Sequence, residues 1–143
     1  MNVFQSTYEH RLRDWRQLRE IIKPLPIEQQ CVEVDRWWQL VPFVSRHLHW
    51  NDISNWPDPW TILSENRYCL LTRAVGMCYT LLINDINEVE LVLVQDQQAE
   101  EHYLVIVNNY ILNYWPDTVL TNKLSDFTIL KRISTTLLKN KIK

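Results

Sequence analysis

Cys69 has the position in the sequence that best suits covalent chemistry. It lies near the start of a predicted helix in the segment 66–83, NRYCLLTRAVGMCYTLLI. If Asn66 caps this helix, Cys69 is its third residue, where unpaired backbone N–H groups and the helix dipole favour a negative charge. The thiolate is the nucleophilic form of cysteine, and it forms more readily at such a position. The sequence therefore predicts a nucleophile at Cys69, which needs a base.

A predicted β-hairpin supplies a candidate base. In the segment 102–117, HYLVIVNNYILNYWPD, a two-residue turn at NN would pair Val107 with Tyr110 and carry the register back to His102 opposite Trp115. On this register His102 and Asn113 are diagonal neighbours on one face of the sheet. A histidine held by a neighbouring amide is the second half of a Cys/His/Asn triad.

These segments together resemble the papain-like and transglutaminase-like cysteine hydrolase superfamily. The resemblance covers residues 56–117 and is carried by YCLLTRAVG, then HYLVIV, then ILNYWP. It implies Cys69 as nucleophile, His102 as general base and acid, and Asn113 as the group that orients His102. Asp117 would take the place of Asn113 if the chain stays extended past Pro116. The implied activity is that of a peptidase, amidase, deamidase or transglutaminase, which attacks a carboxamide or peptide carbonyl and passes the acyl group to water or to an amine.

An interaction module without turnover is the alternative function. In that case the protein keeps the transglutaminase-like fold, and its Trp-rich surfaces bind another protein. The segments LPIEQQCVEVDRWWQLVP, DISNWPDPW and NYWPD also resemble small proteins encoded among the virion and assembly genes of tailed bacteriophages. This second resemblance implies phage structural proteins as partners and an infected bacterial cytoplasm or a virion as the location.

Other residues could also form a site. His47 and His49 have the alternating spacing of two strand-borne metal ligands, with Asp52 near, but no second cluster completes a metal site, so we expect loop histidines. Trp56 and Trp60 bracket PDP just before the Cys69 helix, where they would either wall a substrate cleft or pack the helix start into the core. The sequence thus predicts neither a metal nor a cofactor.

In the first half of the chain, the elements that position these residues are predicted to be helices. Ser6 begins a capping box, SxxE, and apolar residues then recur with helical spacing until KPLP. A second helix is predicted between Pro26 and Pro42, and Asp58 followed by Pro59 has the pattern of an N-cap and first helical residue.

The faces of the Cys69 helix differ in composition. Cys78 falls inside a broad apolar arc and is predicted to be a core residue, as is Cys31 on the second helix. Cys69 falls on the other arc with Thr72 and Gly76. A mid-helix glycine costs about 1 kcal/mol relative to alanine, so we expect either the close approach of another backbone, such as a strand, or a partly exposed face.

Strands are predicted in the second half of the chain. VELVLVQ, HYLVIV and YILNYW are short runs rich in β-branched and aromatic residues, and FTILKRI is a fourth candidate. The fold class is therefore predicted to be α+β, with N-terminal helices (1–50) and a central Cys-bearing helix packed on an antiparallel β-meander. We expect a single domain, 1–143, with the transglutaminase-like core at 56–117.

Composition limits the function classes. The chain has 143 residues, 46% of them hydrophobic, which is enough for one core and too little for two ordinary domains. A net charge of -2 leaves no excess of Lys and Arg for nucleic acid. No apolar run is long enough for a membrane span, the N-terminus lacks the apolar run of a signal peptide, and three cysteines cannot all pair. We therefore expect a cytoplasmic protein with free thiols that acts on, or binds, a protein or peptide.

Overall fold

Residues 2–43, 48–115, 118–121 and 124–143 are described by a computed structural model of the chain. Within them the α-helices are α1 (Tyr8–Ile22), α2 (Ile27–Trp38), α3 (Pro59–Glu65), α4 (Leu70–Ile83) and α5 (Thr136–Lys139). The strands are β1 (Val89–Gln95), β2 (Glu101–Val107), β3 (Tyr110–Trp115), β4 (Thr118–Thr121) and β5 (Thr128–Ser134). Short 3-10 helices occur at Val3–Gln5, Ile53–Asn55 and Leu124–Asp126.

The strands form one antiparallel sheet in the order β4-β3-β2-β1-β5. Helix α4 packs on β1 and β2, and α2 packs on α4 and β3, so the helices cover one face of the sheet. This architecture confirms the predicted α+β class and the strands β1 to β3, while β4 was not predicted. In the described part of the chain, no helix is both long and apolar enough to cross a membrane.

Two helix starts differ from the predictions. Helix α1 is capped by Thr7 rather than Ser6, because the Thr7 side chain accepts the N–H of His10. Asn66 does not cap α4. It ends α3 in a left-handed conformation (φ 54°), which asparagine tolerates better than most residues. Cys69 is instead the N-cap residue of α4. The predicted cap at Asp58 is confirmed, since its carboxylate accepts the N–H of Thr61.

Helix α4 is buried on nearly all sides, including the arc predicted to be exposed or to face a strand. Gly76 lies against the indole of Trp38, and a Cβ added there would come within 2.6 Å of that ring. The indole N–H groups of Trp15 and Trp38 both donate to the Thr80 hydroxyl at 2.9 Å. The Thr80 hydroxyl in turn donates to the carbonyl of Gly76 at 2.8 Å. The small residues of α4 therefore accommodate tryptophans from α1 and α2.

Two of the three cysteines belong to the core, as predicted. Cys31 and Cys78 are both fully buried, and all three thiols are free. Burial, with the nearby charges of Asp35 and Glu28, raises the pKa of Cys31 to about 12. Burial also raises the pKa of Cys78 far above that of an ordinary thiol. Neither thiol is therefore available as a thiolate near neutral pH.

The contact between Gly76 and Trp38 predicts that Gly76→Ala destabilises the protein. Alanine improves helix propensity by about 1 kcal/mol, but overpacking a buried contact costs about 1–3 kcal/mol. Because the Trp38 indole is held by Thr80, it cannot move aside without breaking a buried hydrogen bond. We expect the midpoint of urea unfolding to fall in Gly76→Ala. Gln17→Ala, at an exposed position of α1, is the control and should leave the midpoint unchanged. A Gly76→Ala variant as stable as the wild type would contradict this packing.

Candidate active site

Cys69 lies at the N-terminus of α4, half-buried, where a thiolate can be stabilised. Its Sγ lies 3.2 Å from the hydroxyl oxygen of Thr72, one turn further along the helix. The unpaired N–H groups of the first turn of α4 face this end of the helix and favour a negative charge there.

The surroundings of Cys69 lower its pKa. Burial alone would raise the pKa of this thiol. The backbone of Leu48, the hydroxyl and backbone of Thr72 and the backbone of Leu71 act in the opposite direction as hydrogen-bond donors to the ionised sulfur, and together they prevail. Of the three thiols, Cys69 is thus the one whose pKa is shifted towards the nucleophilic form.

Tyr103 is the β2 side chain that faces this part of the core. Residues alternate between the two faces of a strand, and Tyr103 contacts the same hydrophobic cluster as Val105 and Val107, which α4 covers. Its ring stacks on Trp50 with 6.0 Å between centroids. Burial raises the pKa of Tyr103, and the negative charges of Glu101 and Cys69 raise it further. The phenol of Tyr103 is therefore neutral near pH 7.

Asn113 also lies on the helix-covered face, and its side chain is fully engaged there. Its Oδ1 accepts the Nε of Arg73 at 2.6 Å, and its Nδ2 donates to the carbonyl of Tyr103 at 2.8 Å. Its backbone N–H donates to the buried carboxylate of Asp35 at 2.9 Å. Asn113 thus joins β3 to β2, α4 and α2, and it makes no hydrogen bond to His102 in the described part of the chain.

His102 lies on the opposite face of the sheet. Its Nε2 is 2.8 Å from Oδ2 of Asp96, and its ring packs edge-on against Tyr114 with 4.8 Å between centroids. The hydrogen bond from His102, together with the N–H groups of Glu100 and Gln98, holds the pKa of Asp96 below its ordinary value. The predicted contact between His102 and Asn113 is therefore absent from the described structure, and so is a hydrogen bond between His102 and Cys69.

A backbone irregularity in β3 explains this difference. The hairpin register is as predicted, with Val107 paired to Tyr110, and regular alternation beyond it would place Asn113 on the face of His102. Asn113 instead adopts a left-handed conformation with φ 69°, and the pairing with β4 shifts in the same stretch. This irregularity acts as a β-bulge, which turns the side chain of Asn113 to the helix-covered face and places Tyr114 next to His102.

The two tryptophans predicted to wall a substrate cleft or to pack into the core differ in burial. Trp56 is 3% exposed, and its indole N–H donates to the carbonyl of His49 at 2.8 Å. Trp60 is partly buried and packs edge-on against Trp15 with 6.3 Å between centroids. Trp56 is therefore a core residue, and a role for Trp60 in a substrate cleft stays a prediction.

Possible metal ligands lie on the His102 side. One ligand atom each from Asp96, Glu100 and His102 lies within 4.8 Å of the others, although no other feature of the described chain indicates an ion there. Of the residues considered from the sequence, His47 and Asp117 lie outside the described residues. His49 is exposed, and Asp52 accepts a hydrogen bond from Asn55.

Sequence reasoning missed two residues that contact or influence Cys69. Thr72 lies three residues after Cys69, which is the spacing of an N-cap residue and its N3 partner, so a correct helix start would have identified it. Tyr103 follows directly after His102, and strand alternation alone requires the two side chains to point to opposite faces. Which of them faces Cys69 depends on how the sheet packs against α4.

Solved structures of similar fold were found, whereas no family model and no curated protein sequence matches the chain. LapG from Legionella pneumophila superposes with a TM-score of 0.71 at 12% identity over 90% of this chain and 75% of LapG. Its calcium-bound form gives a TM-score of 0.72 at 12% identity over 90% and 77%. The chain has a LapG-like fold. LapG is a bacterial transglutaminase-like cysteine protease; at 12% identity the likeness shows a shared fold, and no comparison bears on the bacteriophage resemblance.

The contact between Cys69 and Thr72 predicts how the pKa of Cys69 responds to mutation. Thr72→Val removes the hydroxyl donor at similar side-chain volume, so the thiolate loses stabilisation and the pKa of Cys69 should rise. The pH midpoint of alkylation at Cys69, mapped by mass spectrometry, should therefore move to higher pH. Thr72→Ser retains the hydroxyl and should keep the wild-type midpoint. Equal midpoints in Thr72→Val and the wild type would show that the hydroxyl does not stabilise the thiolate.

Proposed function

We propose that this protein transfers acyl groups through a covalent intermediate on Cys69. The observation that carries the proposal is the thiol at the N-terminus of α4, half-exposed, with the Thr72 hydroxyl 3.2 Å away and its pKa lowered. The LapG-like fold supports it, because LapG is a cysteine protease. In the proposed reaction the thiolate attacks a carbonyl carbon, and the helix N-terminus favours the charge that develops on the carbonyl oxygen.

The other two residues of the predicted triad receive different roles. Asn113 is a positioning residue, because its hydrogen bonds to Arg73 and to the Tyr103 carbonyl fix α4 against β2 beside Cys69. His102 has no part in the proposed reaction, since its ring is held by Asp96 on the other face of the sheet. A protein or peptide remains the proposed acyl donor or acceptor, and exposed Leu70, which follows Cys69, offers such a partner an apolar contact.

Binding without turnover is the second candidate function. It is favoured by the position of His102, which leaves Cys69 without the imidazole partner that the predicted triad required. Phe43 and Leu70 have large, exposed apolar side chains on either side of Cys69. The backbone of Phe43 forms a β-bridge with Tyr68, which precedes Cys69, and Leu70 follows Cys69. A protein partner, including the phage structural proteins considered from the sequence, would cover these side chains.

A simple ester distinguishes the two functions. We expect p-nitrophenyl acetate to release a burst of about one equivalent of p-nitrophenolate per protein, because one thiol is activated. Intact-mass and peptide mass spectrometry should locate the acetyl group on Cys69. Cys69→Ala should abolish the burst, and Cys31→Ala, which removes a buried thiol, should retain it. The absence of a burst in the wild type, or its persistence in Cys69→Ala, would contradict the acyl-transfer proposal and favour the binding function.

A further inference from the structure

We propose that a cavity on the face of the sheet that carries His102 binds the guanidinium group of an arginine side chain presented by a protein or peptide. The helices cover the other face, so this proposal is independent of Cys69 and of acyl transfer. The cavity has a volume of about 340 Å³, which is at the small end of the range for ligand pockets. Its lining includes Asp96, Gln97, Gln98, Tyr114, Asp126 and Phe127.

The turn between β1 and β2 forms one wall of the cavity and is held by hydrogen bonds. Oδ1 of Asp96 accepts the backbone N–H groups of Gln98 and Glu100, each at 2.9 Å, and its Oδ2 lies 2.8 Å from Nε2 of His102. The backbone N–H of Asp96 also donates to the carbonyl of Glu100 at 2.9 Å. The bonds to the carboxylate keep the pKa of Asp96 below its ordinary value, so this group is charged at neutral pH. The wall is therefore preorganised and negatively charged.

Asp126 supplies a second carboxylate to the cavity. It is the last residue of the 3-10 helix Leu124–Asp126, and it is exposed. Gln97 and Gln98 add side-chain amides, and none of the described lining residues is basic. An anionic ligand would be repelled by the two carboxylates, and an uncharged apolar ligand would leave these polar groups without hydrogen bonds. The described lining therefore favours a cation.

Aromatic rings in the lining favour a guanidinium over other cations. Tyr114 and Phe127 both line the cavity, and their rings lie edge-on with 5.1 Å between centroids. The ring of His102 packs edge-on against both, at 4.8 Å and 6.3 Å, which holds them in place. A guanidinium stacks on aromatic faces and presents five N–H donors in one plane, whereas a lysine ammonium is a strongly hydrated point charge. Carboxylates, amide oxygens and aromatic rings together thus match arginine best.

The test compares three ligands that differ in the end group. The arginine analogue, Nα-acetyl-arginine N-methylamide, carries a guanidinium. The citrulline analogue has an uncharged urea of nearly the same shape, and the lysine analogue has an ammonium. Each ligand is titrated into the isotope-labelled 143-residue chain and followed by two-dimensional NMR of the backbone amides. EDTA is present throughout, so that a metal ion bound by Asp96, Glu100 and His102 cannot account for the result.

We expect the arginine analogue to shift the amide signals of residues 96–98 and 126–127. It should bind at least about tenfold more tightly than the citrulline analogue, because hydrogen bonds from a charged donor to a carboxylate are the stronger ones. It should also bind more tightly than the lysine analogue. Asp126→Asn removes one charge at an exposed position and should weaken arginine binding about fivefold. Glu88→Gln, which removes an exposed charge outside this lining, is the matched control and should bind like the wild type.

Three results would overturn the proposal. Equal affinities for the arginine and citrulline analogues, or signal shifts confined to residues outside the cavity, would show that no guanidinium site exists there. A lysine analogue that binds as tightly as the arginine analogue would contradict the preference for a guanidinium. Lys123 lies outside the described residues, so Lys123→Gln is titrated as well. Binding seen only in this variant would show that the charge of Lys123 already compensates Asp126. None of these results bears on acyl transfer by Cys69.

Discussion

One hydroxyl group joins the helices on which the candidate site depends. Thr80 on α4 accepts the indole N–H groups of Trp15 from α1 and Trp38 from α2, and it donates to the carbonyl of Gly76. Loss of this hydroxyl would leave two buried N–H groups unpaired, each at a cost of about 1–3 kcal/mol. Because Gly76 lets Trp38 lie directly on the helix, the same contact sets how closely α2 packs against α4, the helix that carries Cys69 at its N-terminus.

The backbone conformation of Asn113 then decides which side chains meet at the site. Because its φ is left-handed, the alternation of side chains along β3 shifts by one residue, and the amide of Asn113 contacts Arg73 and Tyr103 on the helix-covered face. His102 remains on the other face, where Asp96 and Tyr114 hold its ring. Backbone and hydroxyl donors thus lower the pKa of Cys69 on one face of the sheet, and an imidazole is paired with a carboxylate on the other.

Much of the fold could be predicted from the sequence, because it depends on local patterns. The apolar periodicity, the prolines after α1 and the Asp58–Pro59 pair place helices, and the β-branched runs place β1 to β3 almost to the residue. The predictions failed where tertiary contacts overrule local preference. Asn66 is a residue type favoured at N-caps but ends α3, and the arc with Gly76 was predicted to face another backbone or to be partly exposed because nothing in the sequence assigns Trp38 to it. The face of Asn113 could not be predicted either, because a single left-handed residue reverses it.

The proposed chemistry depends above all on a Cys69 thiolate that the helix N-terminus and Thr72 stabilise independently of His102. The most direct test is the pH dependence of iodoacetamide labelling at Cys69, mapped by mass spectrometry in the wild type and in His102→Ala. The structure predicts the same midpoint in both proteins, below that of an ordinary thiol, with Cys31 and Cys78 unlabelled. A midpoint that rises in His102→Ala would show that His102 stabilises the Cys69 thiolate, and it would contradict stabilisation by the helix N-terminus and Thr72 alone.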